Sequence, residues 1–239
     1  SLLTDDLIQD LDFVYISHAH QDHYDEWTLK KIEKSTNILI PRFKDKTLRD
    51  KLKSLGFLNI KEMSEGDKVS FKGVSVEMII EDGFNDRDSA IILDDGDTRV
   101  VNLNDCHPSF EKISRYSSNV DILLMQCSSA IWWPCVYDYS LKELVEKCST
   151  KRSNVLNRAA NYSRHVQPRY IVPCAGPPVF LHQYFQFWDS TRGMDFNPFP
   201  LHDEIDLFFK KNDIDSMMVV PGSKIIIDNG EITNTTTKD

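Results

Sequence analysis

No apolar run in the sequence approaches the ~20 residues that a membrane-spanning helix requires. The N-terminus also shows no secretory signal pattern. Positive charge is scarce, since the formal net charge is -9. Neutralising a phosphate backbone needs a basic face, so this balance argues against nucleic-acid binding. We therefore expect no membrane span and no nucleic-acid partner, while a local basic pocket for a small anion remains compatible with the composition.

The sequence has five cysteines and no C-x-x-C pair. An odd number of widely spaced cysteines argues against a disulfide framework and against a structural zinc ribbon. Their usage fits a reducing compartment, and we expect a cytoplasmic protein in which they are small core residues. They are Cys106, Cys127, Cys135, Cys148 and Cys174.

A cluster of histidines and an aspartate is the strongest signal in the sequence. It reads Ser17-His18-Ala19-His20-Gln21-Asp22-His23 and follows a predicted buried strand at residues 12–16 (DFVYI). Alternate residues of an extended chain point the same way, so His18 and His20 can reach one metal ion. As the chain turns into a helix, Asp22 and His23 can face a second ion. Imidazole and carboxylate suit zinc, iron or manganese, and a chance grouping in a solvated loop is the alternative.

The hydrophobic pattern predicts one domain of mixed α and β structure over residues 1–239. Predicted helices cover residues 28–34, 46–55, 109–116, 141–166 and 203–212, with a break in the longest near Ser149. Predicted strands cover residues 37–40, 57–63, 68–71, 74–80, 89–93, 99–103, 121–126 and 170–173, and a closing hairpin covers 217–232.

The motif H-x-H-x-D-H after a strand resembles the hallmark of the metallo-β-lactamase superfamily. That resemblance implies an α/β fold, an αββα sandwich of mixed sheets with outer helices, and a one- or two-metal site at the edge of the sheets. The superfamily has strands before this motif, whereas only 17 residues precede His18 here. We therefore expect the natural protein to extend upstream of Ser1.

Three stretches are more specifically similar to the metallo-β-lactamase-fold domain of the CMP-N-acetylneuraminate hydroxylases. They are residues 15–29 (YISHAHQDHYDEWTL), 101–106 (VNLNDC) and 167–176 (QPRYIVPCAG). In those hydroxylases such a domain is coupled to a Rieske iron–sulfur domain and the enzyme inserts oxygen into a sugar nucleotide. The resemblance thus implies a diiron-type hydroxylase.

The resemblance also implies two further ligands. Asp105, at the end of a predicted strand, would bridge both ions, although a turn aspartate capping a helix is the alternative. His182 would bind the second ion beside Asp22, His23 and Asp105. Asp22 and Asp105 are also the predicted catalytic residues.

One ligand of the family pattern is missing. The superfamily usually has a third histidine for the first ion in a Gly-rich turn, and Phe84 stands at that place in this sequence. Either His18, His20 and Asp105 leave an open position, or another residue substitutes, the candidates being Asp82, Asp86, Asp88 and His107. Two histidines with a carboxylate resemble the open arrangement that holds non-haem Fe(II), whereas a histidine-rich site favours zinc hydrolysis.

Aromatic and basic residues are the candidates for substrate contact. Trp132, Trp133 and Tyr184 lie in aromatic segments suited to a pocket rim, with ordinary core packing as the alternative. Arg164 lies in the long basic helix and would recognise an anion, unless it simply belongs to a solvated helix face.

Three functions remain open from the sequence. The first is a diiron hydroxylase or oxygenase acting on a sugar nucleotide or an amine-containing metabolite. It would need a Rieske or ferredoxin-type electron donor, because this chain has no Rieske or flavin motif. The second is a zinc-type metallohydrolase that cleaves a phosphodiester, amide or lactone, and the third is a non-catalytic binding scaffold. We expect two divalent metal ions, with iron favoured over zinc.

Overall fold

The computed structural model describes residues 7–82, 88–129, 131–194, 196–228 and 230–235. The chain divides into two units. The first comprises Ser1–Ser109 with Pro221–Asp239, and the second comprises Phe110–Val220. A single domain over the whole chain stays a prediction.

The first unit begins with a parallel three-stranded sheet in the order β1-β2-β3. Parallel neighbours need a crossover connection, and a short helix occupies each one. The elements are β1 (Phe13–Tyr15), α1 (Glu26–Lys31), β2 (Asn37–Pro41), α2 (Thr47–Ser54) and β3 (Asn59–Met63).

Four antiparallel strands follow in the order of the sequence. They are β4 (Lys68–Phe71), β5 (Val74–Ile80), β6 (Ser89–Asp94) and β7 (Arg99–Asn102). The C-terminal hairpin β10 (Lys224–Asp228) and β11 (Glu231–Thr235) belongs to the same unit.

Side-chain alternation on β2 builds two hydrophobic cores in the first unit. Leu39 points to one face, where it packs with residues of β3, β5 and β6 such as Met63 and Met78. Ile38 and Ile40 point to the other face and pack with residues of α1 and α2, as the period of two in a strand requires. Burying each such side chain contributes about 1.5–3 kcal/mol. Helices, parallel strands and antiparallel strands therefore form successive layers of this unit.

The second unit is organised around a parallel strand pair, β8 (Ile122–Gln126) and β9 (Tyr170–Cys174). The long helix α4 (Leu141–Val166) connects them, and α3 (Phe110–Ser114), α5 (Gln186–Ser190) and α6 (His202–Lys211) complete the unit. α3 and α6 both contact α4. Ser140 and Glu143 form a capping box at the start of α4, which satisfies backbone N–H groups there.

The mixed α/β class is confirmed, and the predicted bounds of α4 agree with the structure. Three local predictions were wrong. The helix after the histidine cluster starts at Glu26 because Asp25 caps it, accepting from the backbone N–H groups of Trp27 and Thr28 at 3.3 and 2.9 Å. α4 continues through Ser149 without a break. The closing hairpin starts at Lys224 rather than 217.

No helix among the described residues is long and apolar enough to cross a membrane.

Candidate metal centre

The histidine loop (residues 17–23) begins where β1 ends. The N–H of Ile16 donates to the carbonyl of Leu39 at 3.0 Å, which continues the pairing of β1 with β2. The chain then turns tightly, because the N–H groups of His23 and Tyr24 both donate to the carbonyl of His20, at 3.0 and 2.7 Å. This turn returns His23 to His18, with ring centroids 4.2 Å apart.

His18 and His20 converge as the alternation of an extended chain requires. Nε2 of His18 lies 2.7 Å from Nδ1 of His20. The two rings are nearly perpendicular, with centroids 4.5 Å apart. His18 is only 4% exposed, whereas His20 lies at the surface. Two nitrogen lone pairs can therefore be presented to one ion from a buried and a solvent-facing side.

His23 meets two carboxylates. Its Nε2 lies 3.4 Å from Oδ2 of Asp105 and 3.7 Å from Oδ2 of Asp22. The hydrogen bond with Asp105 raises the pKa of His23 against the opposing effect of burial, and the same bond lowers the pKa of Asp105. Asp105 lies in the turn that follows β7, so the end of this strand brings the carboxylate to the loop.

His18, His23 and Asp105 each offer a ligand atom, and these atoms lie within 4.8 Å of one another. Imidazole nitrogen and carboxylate oxygen are the donors that zinc and non-haem iron accept. His20 and Asp22 stand beside this group through the contacts above. The donor chemistry of the residues present therefore fits a metal centre.

Ser17 and Asp88 lie behind the histidines, and sequence reasoning missed their arrangement. Ser17 Oγ is 3.0 Å from Nδ1 of His18 and 3.2 Å from Nδ1 of His23. Oδ1 of Asp88 is 3.2 Å from Nδ1 of His18 and accepts from the N–H of Ser89 at 2.7 Å. Both residues are buried. The position of Ser17, directly before the first histidine, is the one signal in the sequence that could have indicated this role.

The candidates for the missing third ligand have different surroundings. Phe84 and Asp86 lie outside the described residues. Asp82 is exposed and accepts from the N–H of Ser109 at 2.8 Å. The N–H of His107 donates to Glu81 at 3.1 Å, and burial raises the pKa of Glu81. Asp88 contacts the Nδ1 of His18 at 3.2 Å, the nitrogen opposite to the one that faces His20.

His182 belongs to the second unit and is exposed. Its ring stacks on Tyr184 at 5.2 Å, and its Nδ1 accepts from the N–H of Tyr184 at 3.4 Å. Its role as a ligand of the second ion stays a prediction.

The residues proposed for substrate contact differ in exposure. Trp132 is 47% exposed and packs against Phe180 and Phe185 at 5.3 and 5.2 Å. Trp133 is half-buried and its Nε1 donates to the hydroxyl of Tyr139 at 3.3 Å. Tyr184 is exposed, and so is Arg164, which donates to the side chain of Asn161 at 2.8 Å. Their substrate roles stay predictions.

A cavity of about 520 Å³ lies beside the histidine loop in the first unit. Ala19 and Gln21 line it together with residues of α1 and α2. These two residues alternate with the histidines, and none of the candidate ligands lines the cavity. It is therefore separate from the metal centre.

Comparison with known proteins gives two kinds of likeness. No protein-family model matches the chain. The chain is 32% identical over 199 residues to a Mycobacterium tuberculosis protein provisionally named as a Rieske 2Fe-2S iron–sulfur protein. A Mycolicibacterium smegmatis protein with the same kind of name is 32% identical over 205 residues. These matches cover 79% and 82% of this chain but only 38% and 39% of the relatives, so the chain spans well under half of their length.

Solved structures decide the fold. A metallo-β-lactamase-fold protein from Bacillus subtilis matches 90% of this chain and 78% of its own, with a TM-score of 0.54 and 13% identity. The chain has the metallo-β-lactamase fold. The isothiocyanate hydrolase from Delia radicum gut bacteria matches 92% of this chain and 78% of its own chain, with a TM-score of 0.59 and 14% identity. CmlA, a diiron β-hydroxylase from Streptomyces venezuelae, matches 95% of this chain and 45% of its own, with a TM-score of 0.57 and 16% identity.

The fold implied by the H-x-H-x-D-H motif is thus confirmed. Metallo-β-lactamase-fold neighbours of this chain include both a hydroxylase and a hydrolase, so enzymes of two reaction classes share its fold.

Proposed function

We propose that the chain is the two-metal domain of an oxygen-dependent hydroxylase acting on a small molecule, such as a sugar nucleotide or an amine-containing metabolite. The observation that carries the proposal is the convergence of His18, His23 and Asp105, whose ligand atoms lie within 4.8 Å of one another. These residues come from the end of β1 and from the turn after β7.

The side chains divide into two half-sites in this proposal. Nε2 of His18 and Nδ1 of His20, which lie 2.7 Å apart, would hold the first ion. His23 and Asp22 would hold the second, Asp105 would serve both half-sites, and His182 would be a further ligand of the second. Both ring nitrogens at the first ion would then need lone pairs, with the ring protons on the opposite nitrogens.

Two features favour hydroxylation. The relatives with names that refer to a Rieske iron–sulfur protein are much longer than this chain, which leaves room for an electron donor on another part of the protein or on a partner. The carboxylate-rich donor set also resembles the open arrangement of non-haem iron sites. The iron pair would supply oxygen activation when bound.

The reaction balances with a Rieske- or ferredoxin-type donor. A substrate C–H bond is replaced by C–OH, the other oxygen atom of O₂ leaves as water, and the donor supplies two electrons while two protons come from solvent. The role of this chain is to hold the ligands in register and to orient the substrate. Trp132 offers an exposed aromatic face backed by Phe180 and Phe185, and with Trp133, Tyr184 and Arg164 it is the proposed contact for the substrate.

A metallohydrolase is the second candidate. It is favoured by the likeness to isothiocyanate hydrolase, which covers 92% of this chain. In that case zinc would supply a nucleophile at neutral pH.

Metal analysis with two activity assays separates the candidates. The protein is purified without chelators, and bound metals are measured together with O₂ consumption in the presence of a chemical or ferredoxin-type reductant. We expect about two irons per chain and O₂ uptake that depends on the reductant. Zinc with hydrolytic turnover and no O₂ uptake would establish the hydrolase, and a protein that binds no transition metal would refute both.

A further inference from the structure

We infer that the Ser17 hydroxyl is a positioning group shared by the two half-sites, which holds one histidine of each. The inference rests on the proposed function, because it concerns the same histidines. It adds a residue that contacts no ion and acts through the ligands.

The Ser17 hydroxyl lies between two histidine rings. Its Oγ lies 3.0 Å from Nδ1 of His18 and 3.2 Å from Nδ1 of His23, and the residue is 2% exposed. Its backbone carbonyl accepts from the hydroxyl of Ser89 at 2.9 Å, and Ser89 Oγ also lies 2.8 Å from the hydroxyl of Tyr15. β6 therefore anchors the backbone of Ser17 from the side away from the rings.

Imidazole chemistry explains why this placement matters. A neutral imidazole has one N–H and one lone pair, so a ring that binds an ion through Nε2 carries its proton on Nδ1. A hydroxyl oxygen has two lone pairs and can accept from both Nδ1–H groups. The Nε2 lone pairs are then directed away from Ser17, towards His20 for one ring and towards Asp22 and Asp105 for the other. Water cannot easily replace this acceptor because Ser17 and His18 are buried.

The two histidines depend on Ser17 to different degrees. Nδ1 of His18 has Asp88 as a second acceptor at 3.2 Å. Nδ1 of His23 contacts Ser17 at 3.2 Å, and the described part of the chain shows no second acceptor for it. Removing the hydroxyl should therefore weaken the ion held by His23 more than the ion held by His18.

Co(II) titration of the metal-free protein tests the inference, with affinities measured by competition against a chromophoric chelator and d–d absorption bands as the spectroscopic readout. Three variants are compared with the wild type: Ser17→Ala, Ser17→Thr and Ser128→Ala. Ser128→Ala is the matched control, because it removes a buried serine hydroxyl that donates to the backbone carbonyl of Pro200 at 2.9 Å and belongs to neither half-site. Melting of the metal-free proteins, followed by circular dichroism, verifies that each variant folds.

We expect the Co(II) ion held by His23 to bind Ser17→Ala about 10- to 100-fold less tightly than the wild type, as for other groups that orient metal-binding histidines. Ser17→Thr retains a hydroxyl and should bind within a few-fold of the wild type, and so should Ser128→Ala even where its melting temperature falls. Wild-type affinity in Ser17→Ala would overturn the inference. So would an equal loss in Ser128→Ala, or a folded Ser17→Thr that fails to restore binding. A wild-type protein that binds no Co(II) would instead overturn the proposed metal centre itself.

Discussion

Replacing Asp105 with asparagine removes the charge that both ions are proposed to share while keeping the size of the side chain. Asp105 Oδ2 lies 3.4 Å from Nε2 of His23, and its side chain is 25% exposed. At a separation near 4 Å and an effective dielectric constant of ~20, one pair of unit charges interacts with about 4 kcal/mol. This corresponds to about a thousand-fold in affinity, since each ~1.4 kcal/mol is tenfold. We therefore expect Asp105→Asn to lose at least that factor for divalent ions.

The assay is chelator competition with Zn(II) or Co(II), followed by elemental analysis after dialysis. Asp94→Asn is the matched control, because Asp94 is a partly buried carboxylate of the same unit that pairs with Arg99 at 2.7 Å instead of with a histidine. It should retain both ions. In the metal-free protein Asp105→Asn should change the free energy of unfolding by no more than about 1 kcal/mol, as expected for a partly exposed pair. Retention of two ions at wild-type affinity in Asp105→Asn would show that Asp105 does not bridge them.

Three further outcomes are expected. His182→Ala should reduce the bound metal from about two ions to about one per chain in elemental analysis, and an unchanged content would exclude His182 as a ligand. Lys151 is buried and donates to the carbonyls of Ile131 and Trp133, and burial lowers its pKa to about 8. Between that pKa and the ordinary value of ~10.4 the unfolded chain binds the extra proton, so folding stability gains as pH rises through this window. The difference in urea stability between wild type and Lys151→Met should therefore shift in favour of the wild type from pH 8 to 10. Lys142→Met, the same change at an exposed lysine, is the control, and an equal shift in both variants would contradict the argument. Asp25→Ala removes the cap of α1 and should lower the midpoint of urea unfolding, which an unchanged midpoint would contradict.

Local patterns were sufficient for much of the site and some of the fold. The spacing of His18 and His20 predicted two side chains on one side of an extended segment, and their nitrogens lie 2.7 Å apart. The helical period and the Ser140 cap account for α4, whose bounds were predicted correctly. The predicted start of α1 at residue 28 was wrong, because the carboxylate of Asp25 satisfies the first N–H groups of a helix that begins at Glu26.

Contacts between distant segments were beyond such patterns. Asp88 was one of several acidic residues in a turn, and its sequence position does not distinguish it from Asp82. It lies at His18 because β6 brings its first residues to the end of β1, where Ser89 meets the carbonyl of Ser17 across 72 residues of sequence.

The amino-acid order alone determined the identity of the metal-ligand candidates, because H-x-H-x-D-H is a local motif whose chemistry follows from residue type and spacing. Which groups contact the two nitrogens of each histidine ring was decided only by the tertiary structure. The physical reason is that a neutral histidine ring can carry its proton on either nitrogen, and the neighbours of the ring select between them. Ser17 is such a neighbour within the loop itself, whereas Asp88 reaches His18 only because the start of β6 lies at the end of β1.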